Sequence, residues 1–169
     1  FWLRQMGAGR VITVEPNRER REAGQIFDVD DTIDVTDQAA VDAILDLTGG
    51  AGVDLIVDAV GGNATLNQAV RMAKANGHIH IFGLPTTHDL VPFDLGAFFL
   101  KRLNATSTFG AQDEPGLVAF REALGIIERG EIDMAPFVTH VFPLEQVHDA
   151  FTLAHEPTGG ALKVSLRME

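Results

Sequence analysis

The chain has 169 residues, of which 46% are hydrophobic and 22% charged, a composition typical of a folded globular domain and not of a disordered segment. The formal net charge of -11 disfavours nucleic acid and anionic membranes as partners. The lack of cysteine excludes disulfides, thiolate nucleophiles and cysteine-ligated metal, and no apolar run approaches the length of a membrane span. We therefore expect a soluble, cytoplasmic protein.

The first elements predicted are the end of a helix over residues 1–8, then a strand, a turn and a second helix. Val11–Val14 is a short β-branched run, Glu15 ends it, and Pro16 stops strand pairing. Asn17 can cap a helix over Asn17–Gly24. Doubly wound folds bind ribose hydroxyls with an acidic residue at such a strand end, although a surface glutamate at a plain turn is the alternative.

Strands and helices then alternate as far as residue 109. The predicted strands are Thr32–Val35, Val53–Ala59, His78–Phe82 and Leu103–Phe109. The predicted helices are Asp37–Leu47, ended by Gly49-Gly50, Ala64–Ala75, ended by Asn76-Gly77, and Gly96–Arg102. This alternation predicts a parallel sheet with helices on both faces.

The pattern changes after residue 110. We expect a helix over Pro115–Arg129, a strand over Pro136–Phe142, a helix over Leu144–His155 and a terminal strand over Lys163–Arg167. We interpret this tail as something other than a further βα unit, and we expect it to pack elsewhere.

Six pieces, in this order, resemble the medium-chain dehydrogenase/reductase family, the zinc-type alcohol, polyol and threonine dehydrogenases. They are GAGRVITVEPNRER, TGGAGVDLIVDAVGG, NGHIHIFGLP, LNATSTFG, FPLEQVHDAF and GALKVSL. The resemblance implies an α/β fold, a Rossmann-like doubly wound parallel sheet that lacks its first strand and its glycine-rich turn. It further implies a partial NAD-binding Rossmann domain over residues 1–110. Residues 111–169 would be a return segment that packs toward a GroES-like catalytic domain absent from this sequence.

The absent strand would be the central one in the order 3-2-1-4-5-6. Without it we expect a slot of two strand spacings, about 10 Å, between its neighbours. The family's zinc ligands lie in the absent domain, so the resemblance implies zinc bound outside this chain.

The resemblance also assigns coenzyme-binding residues. Glu15 would bind the adenosine ribose hydroxyls, with Arg20 nearby, and a carboxylate there favours NAD over NADP because it repels a 2′-phosphate. Arg18 or Arg20 could reach a phosphate, which would complicate this preference; the alternative is that both are solvated helix charges paired with neighbouring glutamates. Lys163 would approach the pyrophosphate, unless it is simply solvated.

Three further strand ends would approach the nicotinamide half of the coenzyme; for the turn at Val60 and Gly61 the alternative is a plain turn. Their residues are Val60, Gly61, Phe82, Gly83, Leu84, Thr108 and Phe109. Ligands of open α/β sheets bind at the carboxyl ends of strands, which supports this assignment independently of the family.

No residue of the chain is assigned as catalytic or as a metal ligand. His78 and His80 share a strand face, and His148 and His155 share a helix face, but neither pair has a third ligand at suitable spacing. We expect structural or surface roles for them. The acidic loop over residues 28–34 lacks the ordered glycine and terminal glutamate of a calcium loop.

The leading hypothesis is the coenzyme-binding portion of a zinc-dependent, NAD-dependent alcohol dehydrogenase-like oxidoreductase, which transfers hydride between an alcohol or carbonyl substrate and NAD. This chain alone would be inactive. The alternatives are a non-catalytic nucleotide-binding module and a Rossmann-fold methyltransferase, which an antiparallel seventh strand would favour. We also expect a homo-oligomer through strand 104–109, which is poor in charge and would lie at a sheet edge.

Overall fold

A computed structural model describes residues 1–85, 87–110, 114–156 and 158–168. The chain forms two compact units: unit 1 is made of Phe1–Asp34 and Val118–Glu169, and unit 2 of Val35–Leu117. The domain boundary predicted between residues 110 and 111 stays a prediction, and residues 111–113 beside it lie outside the described part of the chain.

The helices and strands follow the predicted order. The helices are α1 (Trp2–Gln5), α2 (Arg18–Gly24), α3 (Asp37–Leu47), α4 (Asn63–Met72), α5 (Leu95–Leu100), α6 (Val118–Glu128) and α7 (Val147–His155). The strands are β1 (Ile12–Val14), β2 (Asp31–Ile33), β3 (Val53–Asp58), β4 (Ala73–Ile81), β5 (Asn104–Ser107), β6 (Val138–Pro143) and β7 (Lys163–Arg167). All described strand pairs are parallel, which confirms the predicted α/β class with parallel sheets.

The first part of unit 1 is a short parallel pair, β1 with β2, followed by a capped helix. Thr13 pairs with Thr32, and the Asn17 side chain accepts a hydrogen bond from Arg20 N at 2.9 Å, which confirms the predicted cap of α2. Asn17 thus satisfies one of the free N–H groups of the first helical turn.

The acidic loop of unit 1 is held by backbone and arginine contacts. Asp30 Oδ2 accepts a hydrogen bond from Val11 N at 2.6 Å and also bonds the guanidinium of Arg4, which donates to Asp28 O at 3.0 Å. The Val11 N–H, followed by Arg4, holds the pKa of Asp30 below its usual range. Arg10 forms a further ion pair with Asp31 at 2.7 Å, so this loop has a structural explanation.

The tail differs from the prediction. β6 and β7 pair in parallel, with α7 between them in the chain, so residues 138–167 do form a βαβ unit, with a two-stranded sheet of their own. The prediction of a tail without a further βα unit was therefore wrong. A parallel pair needs a crossover of this length, and α7 supplies it while burying Ala150.

Unit 2 is a three-stranded sheet in the order β3-β4-β5, covered on one face by α4. Its core contains Ala69, Val70, Ala73, Ile79 and Leu103. Lys101 Nζ donates to the carbonyls of Val70, Arg71 and Ala73 at 2.6–3.0 Å, which satisfies free carbonyls at the end of α4. Burial lowers the pKa of the Lys101 ammonium.

The junction of α4 and β4 departs from the predicted bounds. The helix ends at Met72 instead of Ala75, and the strand begins at Ala73, so the predicted stop Asn76-Gly77 lies inside the strand. Ala73 pairs with Val53, and a register shift follows before His78 pairs with Leu55. Asn76 takes a positive φ of 62° in this irregular stretch. An Asn-Gly pair can thus mark a strand irregularity as well as a helix end.

β5 lies at the edge of this sheet, as predicted, and all four of its residues are exposed. Within the described residues, no strand pair joins the β1-β2 sheet to the β3-β4-β5 sheet. No helix in the described residues is long and apolar enough to cross a membrane.

Candidate functional site

The turn after β1 presents a carboxylate at the strand's carboxyl end. Glu15 is half-buried, and its Oε1 accepts a hydrogen bond from Asn17 N at 2.9 Å. The backbone N of Glu15 donates to Ile33 O at 3.0 Å, which fixes the residue to β2. A fixed carboxylate at this position can accept hydrogen bonds from a vicinal diol.

Arg21 holds this turn from the other side. Its Nη1 donates to the carbonyls of Glu15 and Pro16, each at 2.8 Å, and its Nη2 lies 3.9 Å from a carboxylate oxygen of Asp34. The sequence analysis did not single out Arg21. Its side chain is only 18% exposed, and this burial could not be deduced from a run of five charged residues on one helix.

The three other basic residues considered for the coenzyme lie at the surface of unit 1. Arg18 forms an ion pair with Glu22 at 2.7 Å, as its alternative interpretation proposed, and this contact raises the pKa of Arg18. The side chain of Arg20 is exposed at the start of α2. Lys163 is exposed at the first position of β7, opposite Val138.

In unit 2, Asp58 closes β3 and organises the turn that follows. Its side chain is buried, with the residue only 5% exposed. Oδ1 accepts hydrogen bonds from Val60 N at 3.0 Å and Gly61 N at 3.3 Å, and Oδ2 accepts one from Thr65 Oγ1 at 3.1 Å. Sequence reasoning missed Asp58; an aspartate at the carboxyl end of a mostly apolar strand was the signal that could have revealed it.

The turns after β3 and β4 fit against each other through two glycines. A Cβ added at Gly61 would overlap the carbonyl of Leu84, and one added at Gly83 would overlap the backbone of Val60 and Gly61. Gly61 also takes a positive φ of 77°. Both glycines therefore have a packing role: the close backbone approach that they permit is between the two turns.

Apolar side chains project from the carboxyl ends of three adjacent strands of unit 2. Val60 follows β3, Phe82 and Leu84 follow β4, and Phe109 follows β5, and each is more than half exposed. Such an apolar edge can receive a flat ring, and a carboxylate such as Glu15 can receive a sugar diol. Each set thus has the chemistry to contact one part of a nicotinamide coenzyme, and the coenzyme contacts of both sets stay predictions.

Thr108 lies at the same edge and joins a hydrogen-bonded chain on the sheet. Its Oγ1 is 3.1 Å from His80 Nε2, while Thr106 Oγ1 lies 2.8 Å from His78 Nε2 and 2.9 Å from His80 Nδ1. Both histidines are therefore hydrogen-bonded to Thr106 of β5, and His80 also to Thr108 just after that strand.

Zinc does not fit the part of this chain that the structure describes. No group of three or more histidine, aspartate, glutamate or cysteine side chains comes together there in a metal-binding arrangement. A catalytic zinc site needs three protein ligands. We therefore derive no step of the reaction through zinc held by these residues.

A polar hollow of about 510 Å³ lies elsewhere on unit 2, beside the first turns of α3 and α4. Its side chains already bond to one another and to nearby backbone: Asn67 Nδ2 donates to Pro92 O at 3.0 Å, and Arg71 Nη1 to Gln38 Oε1 at 2.9 Å. We assign it a structural role and place the candidate site at the strand ends.

Comparison with known proteins gives the family. Residues 1–128 match the profile described as zinc-binding dehydrogenase. The chain is 27% identical over 166 residues to an alcohol dehydrogenase of Cupriavidus necator, covering 97% of this chain and 44% of that protein. It is 29% identical over 172 residues to an S-(hydroxymethyl)glutathione dehydrogenase of Escherichia coli, with the same coverage.

A solved structure shows the same fold. Benzyl alcohol dehydrogenase from Acinetobacter calcoaceticus superposes with a TM-score of 0.83 at 20% identity, over 98% of this chain and 44% of that one. The chain thus spans less than half the length of these relatives. The resemblance to the coenzyme-binding part of the medium-chain dehydrogenases is confirmed, and the chain belongs to the zinc-binding dehydrogenase family.

Proposed function

We propose that this chain is the coenzyme-binding portion of an NAD-dependent, alcohol dehydrogenase-like oxidoreductase. The observation that carries the proposal is Glu15, a fixed and half-buried carboxylate at the carboxyl end of β1. The family to which the chain belongs uses nicotinamide coenzymes. A carboxylate at the end of this strand accepts hydrogen bonds from the ribose 2′- and 3′-hydroxyls but repels a 2′-phosphate. NAD is therefore favoured over NADP.

The coenzyme, when bound, supplies a nicotinamide ring that exchanges hydride with an alcohol or carbonyl carbon. The role of this chain is to bind the coenzyme and to orient its nicotinamide ring. Glu15, with Arg20 beside it, holds the adenosine ribose, and Lys163 offers a charge to the pyrophosphate. Val60, Phe82 and their neighbours at the strand ends of unit 2 offer apolar contact and exclude water from one side of the ring.

The activity of the whole enzyme needs groups beyond these. Zinc that polarises the substrate oxygen would be held outside this chain, in the substrate-binding half. The 169-residue chain alone should therefore show no alcohol oxidation with added zinc and at most weak NAD binding. Calorimetric titration with NAD and a turnover assay test this, and micromolar binding or measurable turnover would show that the division of labour is wrong.

The proposal is tested by Glu15→Ala in the full-length enzyme that carries this chain. Charge-assisted hydrogen bonds are worth roughly 1.5–3 kcal/mol each, so losing two should raise the Kd for NAD by about ten- to a hundredfold or more. Discrimination against NADP should relax as well. The matched control is Glu19→Gln, one turn away and exposed. Unchanged affinity for both coenzymes in the Glu15→Ala enzyme would refute the assignment.

The methyltransferase alternative has less support, because β7 pairs in parallel with β6 and adds no antiparallel strand to the sheet of unit 2. A non-catalytic nucleotide-binding module would share the Glu15 site. It differs from our proposal in predicting coenzyme binding without hydride transfer when the substrate half is present.

We further propose that β5 pairs with its copy in a second subunit. The strand is at the sheet edge, all four of its residues are exposed, and none of them is charged. An unprotected edge of this kind favours pairing with another chain. Thr108 N donates to Ile81 O of β4, and N–H groups alternate along a strand, so the N–H of Ala105 faces the free edge. Ala105→Pro would remove this edge donor and should shift the full-length protein toward monomer in analytical ultracentrifugation; an unchanged mass would count against this interface.

A further inference from the structure

We infer that Asp58 is a positioning residue for the coenzyme site: its buried carboxylate holds the turn after β3 in the shape that places Val60 and the neighbouring turn after β4 against the nicotinamide ring. This inference rests on the proposed coenzyme function. It assigns to unit 2 a residue that would never touch the coenzyme and would nevertheless control its affinity.

Asp58 accepts hydrogen bonds from several groups at once. The Asp58 carboxylate accepts the N–H groups of Val60 and Gly61 and the hydroxyl of Thr65, while its backbone carbonyl accepts Phe82 N at 2.9 Å and Gly83 N at 2.8 Å. One residue therefore fixes the turns after both strands. A buried carboxylate is costly unless its bonds are satisfied, and these partners supply that compensation.

The turns after β3 and β4 pack so closely that neither can shift alone. Gly61 and Gly83 lie so close that a Cβ on either would overlap the other turn's backbone. If the Asp58 bonds are lost, the turn after β3 must move, and the turn after β4 must move with it. The exposed side chains of Val60 and Phe82, which these turns carry, would then leave their places together.

Two substitutions at Asp58 separate the effect of the turn's geometry from the effect of the carboxylate's charge. In Asp58→Asn, Oδ1 can still accept from Val60 N and Gly61 N. The new amide N–H₂ can donate to Thr65 Oγ1, whose own hydrogen can go to Gly62 O, already 2.9 Å away. The asparagine thus keeps the turn and removes the charge, whereas Asp58→Ala removes both.

The test measures the Kd for NAD by fluorescence titration in the full-length enzyme. The variants are Asp58→Ala and Asp58→Asn, and the matched control is Val41→Ala, which removes buried methyl groups from α3 of the same unit. Urea unfolding is recorded for each, and the titrations are made where all are fully folded. We expect Asp58→Ala to raise the Kd about tenfold, the equivalent of about 1.4 kcal/mol, and Asp58→Asn and Val41→Ala to change it less than about twofold.

Three results would overturn the inference. Equal Kd values for Asp58→Ala and Val41→Ala would show that Asp58 serves stability only. A loss in Asp58→Asn as large as in Asp58→Ala would show that charge, and not the shape of the turn, matters. Failure of the unsubstituted enzyme to bind NAD or NADP would overturn the proposed function together with this inference, and is distinguished from the other two by the unsubstituted enzyme alone.

Discussion

The turns after β1 and β3 share one hydrogen-bond pattern but differ in the burial of their acidic residue. Each begins with an acidic residue that closes a strand, and each acidic side chain accepts the N–H two residues ahead: Glu15 from Asn17 at 2.9 Å, and Asp58 from Val60 at 3.0 Å. Glu15 is half-buried beside exposed residues, whereas Asp58 is almost fully buried and bonds two more groups.

The difference shows that burial decides what a strand-end carboxylate does. A carboxylate that keeps access to solvent can exchange water for a ligand's hydroxyls at small cost. A carboxylate that is buried and fully bonded becomes part of the framework, because breaking any of its bonds leaves a polar group without a partner. Substitutions in the two turns should therefore affect different properties, ligand affinity directly in one and stability in the other.

The largest effect on stability should come from Gly83→Ala, which forces the turns after β3 and β4 apart. Overpacking of this kind costs about 3 kcal/mol in the free energy of unfolding. The control is Gly96→Ala in α5, where an added Cβ would come no nearer than 3.8 Å to another group. Urea denaturation measures both, and equal midpoints would mean that the two turns are not interlocked.

Thr65→Val should have an intermediate effect. It keeps the side chain's shape but removes the hydroxyl that donates to Asp58 Oδ2 at 3.1 Å, which leaves a buried carboxylate oxygen without that partner. We expect a loss of about 1–2 kcal/mol in the free energy of unfolding. Combined with Asp58→Ala, the loss should be clearly less than additive; full additivity would separate Thr65 from the Asp58 network.

Acid should act on unit 1 through Asp30. Because the Val11 N–H and Arg4 lower the pKa of Asp30 in the folded state, its contribution is present above the unfolded pKa of about 4 and is lost as the pH falls through the lower folded value. Asp30→Asn should therefore flatten the decline in stability as the pH falls below about 4. Unfolding midpoints measured across this range would contradict the prediction if wild type and variant declined in parallel.

The smallest effect on stability should come from Glu15→Gln. The turn after β1 retains Arg21, and surface substitutions usually change the free energy of unfolding by less than about 0.5 kcal/mol. The same substitution should still weaken NAD binding in the full-length enzyme. A loss of stability as large as that of Thr65→Val would erase the distinction between the two turns.

Most of the fold could be predicted from the sequence because its signals are local. The helix α3 and the strand β7 have the predicted bounds, and the Asn17 cap follows from residue type and position alone. The irregular start of β4 could not be predicted, because Asn76-Gly77 is also a common helix stop and only pairing with β3 decides between the two. The β6-α7-β7 unit was missed for the same reason, because the sequence of a strand does not indicate which other strand it pairs with.

Of the candidate site, only the residue proposed to contact the ligand was predictable from the sequence. Glu15 is recognised by its place after a strand and before a capped helix. Asp58 and Arg21 act through burial and through bonds to backbone atoms, and neither property follows from sequence spacing. The packing of Gly61 against Gly83 likewise joins two turns that are 22 positions apart in the chain.

The convergence of contacts on Asp58 also has a consequence for motion. Four amide hydrogens, those of Val60, Gly61, Phe82 and Gly83, are bonded to atoms of this one residue. None of them can exchange with solvent until its bond to Asp58 opens, and the tight fit of the two turns means that one cannot open far without the other. We therefore expect these four amides to exchange with deuterium at similar rates, as a single cooperative unit at the edge of the sheet.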